Sequence, residues 1–307
     1  VQVQTNMPTN KEPCVLALGN FDGVHLGHRR LLEHGLRQAE RLGVGLSVLL
    51  FEPHPLKVLQ PERGIQLLTT NQERLKYFEE IGVNTVFLIP FTREMANTSP
   101  EDFVVRILMP LGVVRVVVGF NYSFGAHGKG SPELIQLLGK QYGFGVSVLQ
   151  AQMLEGRVIS SSSIRKALLQ GDIALASALL GRSPSLSGTV IHGEERGRLL
   201  GYPTANLRSN EDILIPKRGV YAVWANINGA FAAGMMNIGM KPTFHDMYGT
   251  SVEVNFFDFN GDLYGQELTI HIEERLRDEK KFDGINELLL QLKTDKIKAQ
   301  SLLKGLL

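Results

Sequence analysis

His25 and His28 stand three residues apart in the run Leu18-Gly19-Asn20-Phe21-Asp22-Gly23-Val24-His25-Leu26-Gly27-His28. If a helix begins there, both imidazoles share one of its faces. A helix start also offers unsatisfied N–H groups and a partial positive charge, which suit phosphate. Gly23 and Gly27 let the backbone approach a ligand closely, and Gly19, Phe21 and Gly27 are candidate nucleotide contacts. Two preorganised donors could grip nucleotide phosphates as charge builds in a transition state, each worth about 3 kcal/mol of barrier. The plain alternative is a pair of surface histidines.

Three other segments hold chemistry-bearing residues: Phe51-Glu52-Pro53-His54-Pro55, Val118-Gly119-Phe120-Asn121-Tyr122-Ser123-Phe124-Gly125, and Ile159-Ser160-Ser161-Ser162-Ser163-Ile164-Arg165. Asn121 could contact a nucleotide. Ser161, Ser162 and Arg165 place hydroxyls and a guanidinium one helical turn apart, a sensible triphosphate clamp. The same serines also suit plain helix capping, and His54 reads as a turn residue between two prolines.

A second constellation begins at His192-Gly193 and ends at Gly201-Tyr202-Pro203-Thr204-Ala205-Asn206. Gly193 and Gly201 could bring N–H groups to phosphates. Thr204 and Asn206 offer neutral oxygens to Mg²⁺, which prefers hard oxygen ligands. No Gly-x-x-x-x-Gly-Lys-Ser/Thr run occurs, so a nucleotide site here is not a P-loop. The bland reading is a Gly-rich hairpin with a solvated arginine pair, Arg196 and Arg198. In Val252-Glu253-Val254, Glu253 is either a carboxylate base or a solvent-facing strand residue, with its neighbours in the core. The run 278–281 reads as solvated charge.

Positioning these residues requires two kinds of architecture. In the first half, apolar strand-like runs at 14–19, 45–51, 85–89, 113–118 and 145–149 alternate with helical patterns at 26–42, 71–81, 99–102 onward and 131–133 onward. That alternation predicts βαβ units and a parallel sheet, whose ligands bind beyond the carboxyl ends of the strands. Short helices follow at 160–169 and 172–180, then a linker, Gly181-Arg182-Ser183-Pro184. Five short strands at 186–192, 220–227, 231–238, 251–257 and 267–272 predict an antiparallel barrel. An amphipathic helix closes the chain over 283–303, with Ile285, Leu288, Leu289, Leu292 and Ile297 as its apolar positions. The expected domains are 14–182 and 185–307. Residues 1–13 read as a loose polar tail without the pattern of a secretory signal.

Composition bounds the function. The 307 residues are 43% hydrophobic and 21% charged, an ordinary globular balance. Lys plus Arg is 32 against 31 Asp plus Glu, so the net charge is +1 and a nucleic-acid wrapper is disfavoured. One cysteine, Cys14, excludes an internal disulfide and points to a reducing, cytoplasmic setting. No run approaches the ~18 apolar residues of a membrane helix.

The first constellation resembles the His-x-Gly-His signature of the nucleotidyltransferase superfamily, and no Lys-Met-Ser-Lys-Ser-like loop of a synthetase accompanies it. With the three further segments it resembles the adenylyltransferase half of bacterial bifunctional riboflavin kinase/FAD synthetases, over roughly residues 14–181. The resemblance implies a Rossmann-like nucleotidyltransferase domain. It makes His25 and His28 catalytic, stabilising the transferring phosphoryl group. Asn121, Ser161, Ser162 and Arg165 become nucleotide contacts. Pro203-Thr204-Ala205-Asn206 resembles the hallmark of the riboflavin kinase barrel, and the similarity runs on through Lys241-Pro242-Thr243-Phe244 to Phe282-Asp283. Lys241 stands where the family often has Asn. This second resemblance implies Glu253 as base toward the ribityl hydroxyl, Thr204 and Asn206 holding Mg-nucleotide, and Arg277 on a loop near the flavin. The expected function is FMN formation from riboflavin and ATP, then FAD and pyrophosphate from FMN and ATP, with Mg²⁺. The partners are these small molecules, with no nucleic acid or membrane; homo-oligomers are left open. The competing readings are another nucleotidyltransferase fused to a flavin-binding barrel, and a non-catalytic flavin carrier.

Overall fold

A computed structural model describes residues 1–6, 12–193, 201–242 and 248–306, and side chains outside 241–248. Glu194 to Leu200, with Arg196 and Arg198, lie outside the described residues, as do Thr243 and Phe244. The chain forms two compact units, Val1–Ser161 and Ser162–Leu307.

The first unit is built on a six-stranded sheet in the order β1-β4-β3-β2-β5-β6. Its strands are β1 (Gln2–Gln4), β2 (Cys14–Leu18), β3 (Gly45–Glu52), β4 (Thr85–Pro90), β5 (Val113–Gly119) and β6 (Gly145–Leu149). Every pairing is parallel. The strands are apolar on both sides because both sheet faces are covered. On one face Leu16, Leu18, Val116 and Val118 pack with Phe103, Leu108 and Ile135 from flanking helical segments. On the other, Val15, Ala17 and Val117 pack with Leu31, Leu32 and Phe78 from the helices Leu26–Leu42 and Asn71–Ile81. The order of connection reverses between β2 and β5, and a doubly wound sheet opens its ligand crevice at such a point.

One expectation changes here. Residues 2–4 are not a loose tail but an edge strand, with Gln2, Val3 and Gln4 paired to Thr85, Val86 and Phe87. The pairing uses backbone groups alone, and Val3 remains 41% exposed. A hairpin of β7 (Met153–Leu154) and β8 (Arg157–Val158) precedes the helix Ser161–Gln170.

The second unit is a closed barrel in the order β10-β13-β12-β11-β14-β9, antiparallel throughout. Its strands are β9 (Ser185–Ile191), β10 (Ala205–Ser209), β11 (Gly219–Ile227), β12 (Ala230–Pro242), β13 (Tyr248–Phe256) and β14 (Glu267–Arg277). β10 is the strand missing from the sequence reading: Ala-Asn-Leu-Arg-Ser carries one buried apolar residue, Leu207. The interior takes one side-chain set, including Tyr221, Met236, Ile238, Val252 and Val254, all at most 4% exposed. The alternate set faces outward, where Ala222 and Met235 pack against Ala299 and Leu303 of the helix Ile285–Leu303.

That helix corrects two predicted apolar contacts. Ile285 is 64% and Ile297 59% exposed. The seated face runs through Leu288, Leu292, Asp295, Ala299 and Leu303. Ile297 lies about 200° from Asp295 around a helix of 3.6 residues per turn.

Candidate active sites

In the first unit, β2 ends at Leu18 and the helix Leu26–Leu42 begins eight residues later. His25 caps that helix, its Nδ1 accepting from the His28 N–H at 3.2 Å. With Nδ1 an acceptor, the proton of the neutral ring sits on Nε2, which makes that atom a donor. The two imidazoles stack with centroids 3.6 Å apart and planes 13° from parallel. No acidic residue occupies the first turn. The positive end of the helix is therefore left for an external anion.

The connecting loop is strained and firmly held. Phe21 and Val24 have φ of 50° and 36°, rare for residues with large side chains. The Asp22 carboxylate, 1% exposed, anchors the loop by accepting from Leu68 N at 2.9 Å and Thr69 N at 3.2 Å. Gly23 N donates to Thr69 Oγ1 at 2.9 Å. Buried Arg74 donates to Asn20 O at 3.0 Å and to Asn71 Oδ1. Burial pulls the Arg74 guanidinium below its ordinary value, opposed by Asp22, Glu52 and Glu73.

Ser161 Oγ donates to Asp22 O at 2.8 Å, which brings the Ser161 hydroxyl onto the loop that carries the histidines. Ser162 and Arg165 follow on the same helix and fall in the second compact unit. Asn121 is exposed just beyond β5, on the other side of the switch point from His25. Phe21 is placed differently from its expected role. Its ring is fully buried, 5.1 Å from His28 and 5.6 Å from Phe78, so only its backbone is left for a nucleotide. Gly19 and Gly27 make room for rings: a Cβ on Gly19 would meet Phe21 at 3.2 Å, and one on Gly27 would meet His25 at 3.1 Å. His54 is buried and caps the helix Pro55–Leu59 through Nδ1.

In the second unit, cross-strand register sets the site. Asn206 pairs with Glu253, Glu253 with Asn237, Asn237 with Val220, and Val220 with Arg277. Directly paired residues project from the same sheet face, so one row crosses five strands on the barrel's outer side. Val252 and Val254 face the interior, as alternation predicts, yet Glu253 does not face open solvent. It lines a cavity of about 330 Å³ walled also by Thr204, Tyr202, Asn237, Asn255 and Arg277. Val220, Met235, Phe282, Leu288 and Leu292 supply its apolar part. Asn255, 6% exposed, donates to Pro203 O at 2.7 Å and so fixes the turn that carries Thr204.

Two sequence expectations change at this site. Arg277 ends strand β14 rather than standing on a loop. The charge run is also not simply solvated: Glu279 and Lys280 line the cavity, and Glu279 Oε1 lies 2.6 Å from where a Gly239 Cβ would stand. The outer-face residues Asn237 and Asn255 were also missed. The only sign of them in the sequence is alternation with apolar neighbours, Met236 and Ile238 for Asn237 and Val254 and Phe256 for Asn255.

Gly201 takes a left-handed φ of 79°. Gly193 has a different constraint, since a Cβ there would lie 2.1 Å from Asn206 Nδ2. Gly193→Ala is expected to displace the side chain of Asn206, the group expected from the sequence to hold nucleotide, and so to lower kcat/KM for the nucleotide about a hundredfold, the scale of an ångström's misplacement. Steady-state kinetics checks this, and an unchanged value removes Asn206 from the nucleotide site.

Family models match both units: FAD synthetase over residues 7–163 and riboflavin kinase over residues 180–303. A bifunctional riboflavin kinase/FMN adenylyltransferase of Bacillus subtilis is 40% identical over 290 residues, 93% of this chain and 91% of that one. Its Escherichia coli counterpart is 36% identical over 94% of this chain and 93% of its own. A crystal structure described as a macrolide-efflux protein from Streptococcus pneumoniae shares the fold, with TM-score 0.90 and 30% identity over 98% of this chain and 99% of that one. Among the described residues, no helix is long and apolar enough to cross a membrane. With both of its catalytic modules matched and its relatives aligned almost end to end, the chain belongs to the bifunctional riboflavin kinase/FMN adenylyltransferases, which make FMN from riboflavin and FAD from FMN.

Proposed function

We propose that the barrel's outer-face cavity is where riboflavin is phosphorylated, and that the crevice at the β2–β5 switch point is where FMN is adenylylated. The row Asn206–Glu253–Asn237–Val220–Arg277 carries the first assignment. It sets one carboxylate between neutral oxygen donors and a cavity with apolar walls. A flavin ring suits the apolar part. Glu253 then receives the proton of the ribityl 5′-hydroxyl as that oxygen attacks the γ-phosphorus of ATP and ADP leaves.

Thr204 and Asn206 are the groups that would hold Mg-nucleotide. Their neutral oxygens fit Mg²⁺, which is bound by few protein ligands beside substrate phosphates. Among the described residues no group of three His, Cys, Asp or Glu could hold a metal by itself. When bound, Mg²⁺ neutralises charge on the transferring phosphates.

In the first unit, a phosphate oxygen of FMN attacks the α-phosphorus of ATP and pyrophosphate leaves. The nucleophile is part of the substrate, so the protein's task is positioning and charge stabilisation. His25 and His28 supply donors beside the helix N-terminus, Ser161 hydrogen-bonds the loop that precedes that helix, and Asn121 flanks the crevice. Ser162 and Arg165 are assigned to nucleotide phosphates by their motif, with a functional boundary between 182 and 185. A single cysteine, Cys14, buried and in no disulfide, fits a cytoplasmic enzyme.

Chromatography of flavins after incubation with riboflavin, ATP and Mg²⁺ tests the reading. FMN appears first and FAD after it, and EDTA suppresses both. FMN alone would reopen the substrate of the first unit; bound riboflavin with neither product would mark a carrier.

A further inference from the structure

Along the seated face of the helix Ile285–Leu303, Leu288, Leu292, Ala299 and Leu303 are small or apolar. Asp295 is the exception, and it is 1% exposed. A carboxylate buried there is costly unless it is paired. Its Oδ2 accepts from Arg277 Nε at 2.9 Å and lies 2.8 Å from a terminal guanidinium nitrogen. Its Oδ1 accepts from Gln291 Nε2 at 2.9 Å. The other terminal nitrogen of Arg277 donates to Asp278 O at 3.0 Å. The guanidinium is therefore held on each of its edges.

Arg277 in turn touches what closes the cavity. Its guanidinium carbon lies 5.7 Å from the Phe282 ring centre, and Lys280 Nζ lies 5.4 Å from the same ring. Lys280 pairs with Glu287 of the helix at 2.6 Å. Phe282 thus carries a cation on each of two approaches, and both cations are tied to the helix. β14 slips register twice against β11 just before Arg277, between Val220/Tyr221 and Ala222/Val223. Such bulges re-aim the side chains that follow.

We infer that Asp295 is a positioning residue for riboflavin phosphorylation. It fixes the Arg277 guanidinium and, through it, seats Phe282 and the segment before it as the wall of the flavin cavity. The inference rests on assigning that cavity to the flavin. Stability alone is a poor reason to keep the pair, because well-packed apolar residues often replace buried ion pairs without loss. What the pair adds is a fixed direction for Arg277.

A double-mutant cycle on the full chain tests this, using Asp295→Asn, Arg277→Lys and the double variant. KM for riboflavin, KM for ATP and the adenylylation of supplied FMN are measured for each, with thermal unfolding. Asp295→Asn is expected to raise KM for riboflavin about tenfold through misplacement of Arg277. KM for ATP and FMN adenylylation stay within about twofold, and the double variant is no worse than the poorer single one, as coupled groups require. An unchanged riboflavin KM in Asp295→Asn, or effects that multiply in the double variant, would overturn the inference. If Arg277→Lys impairs riboflavin use and Asp295→Asn does not, the inference alone fails. If Arg277→Lys and Glu253→Gln both leave FMN formation intact, the cavity assignment itself fails. Should Asp295→Asn not fold, Gln291→Leu decides: it removes the Oδ1 partner, and a smaller rise in riboflavin KM supports the inference while no rise overturns it.

Discussion

Glu253→Gln is expected to cut FMN formation by about a hundredfold to ten-thousandfold, the usual contribution of a positioned general base. The substitution keeps the side chain's shape and its place in the cross-strand row between Asn206 and Asn237. It removes only the capacity to take a proton. Packing on β13 is carried by Val252 and Val254, at 4% and 1% exposure, so the unfolding temperature should hardly move. Adenylylation of supplied FMN should continue at the parent rate, because that chemistry lies in the other unit. FMN formation and FMN consumption, followed separately by chromatography, check the prediction. A folded variant that loses both activities would show that the two sites are not independent.

The sequence revealed most where one residue type served both fold and chemistry. The run from Leu18 to His28 combined the end of a buried strand and a helix start, and the structure puts both there, with Gly23 left-handed between them. The barrel was legible from its alternating strands, and the motifs pointed to Thr204 and Glu253, which line one cavity. Backbone-only features were not legible. β1 pairs along an edge without burying a side chain, and β10 buries one, so neither had a hydrophobic period to detect. The cavity wall was hidden for a related reason. Asp278 to Lys281 is charged at every position, and whether such a run meets water or a barrel depends on what the C-terminal helix does. One of that helix's ties to the barrel, Asp295 to Arg277, joins residues 18 positions apart in the chain. Phe21 shows the converse, since a motif position next to the two stacked histidines is filled for packing, beneath His28 and against Phe78.

The two histidines should separate under mutation although both lie at one helix start. His28→Ala removes a donor without touching the cap, because the capping bond uses only its backbone N–H. FMN adenylylation should fall about a hundredfold to a thousandfold, the loss seen when one preorganised donor is removed from a developing oxyanion. Stability should change little. His25→Ala should cause a similar loss and also remove the N-cap, which is worth about 1 kcal/mol. In a chain of this size that lowers Tm by roughly 2–4 °C. His25→Asn restores the cap and with it the Tm, but not the rate, since an amide in the capping position is no longer an imidazole stacked 3.6 Å from His28. In all three variants riboflavin should still be phosphorylated, and FMN should accumulate in place of FAD. Full adenylylation in His28→Ala would mean that the helix N-terminus and Ser161 suffice, and that the stacked pair serves the fold instead of the reaction.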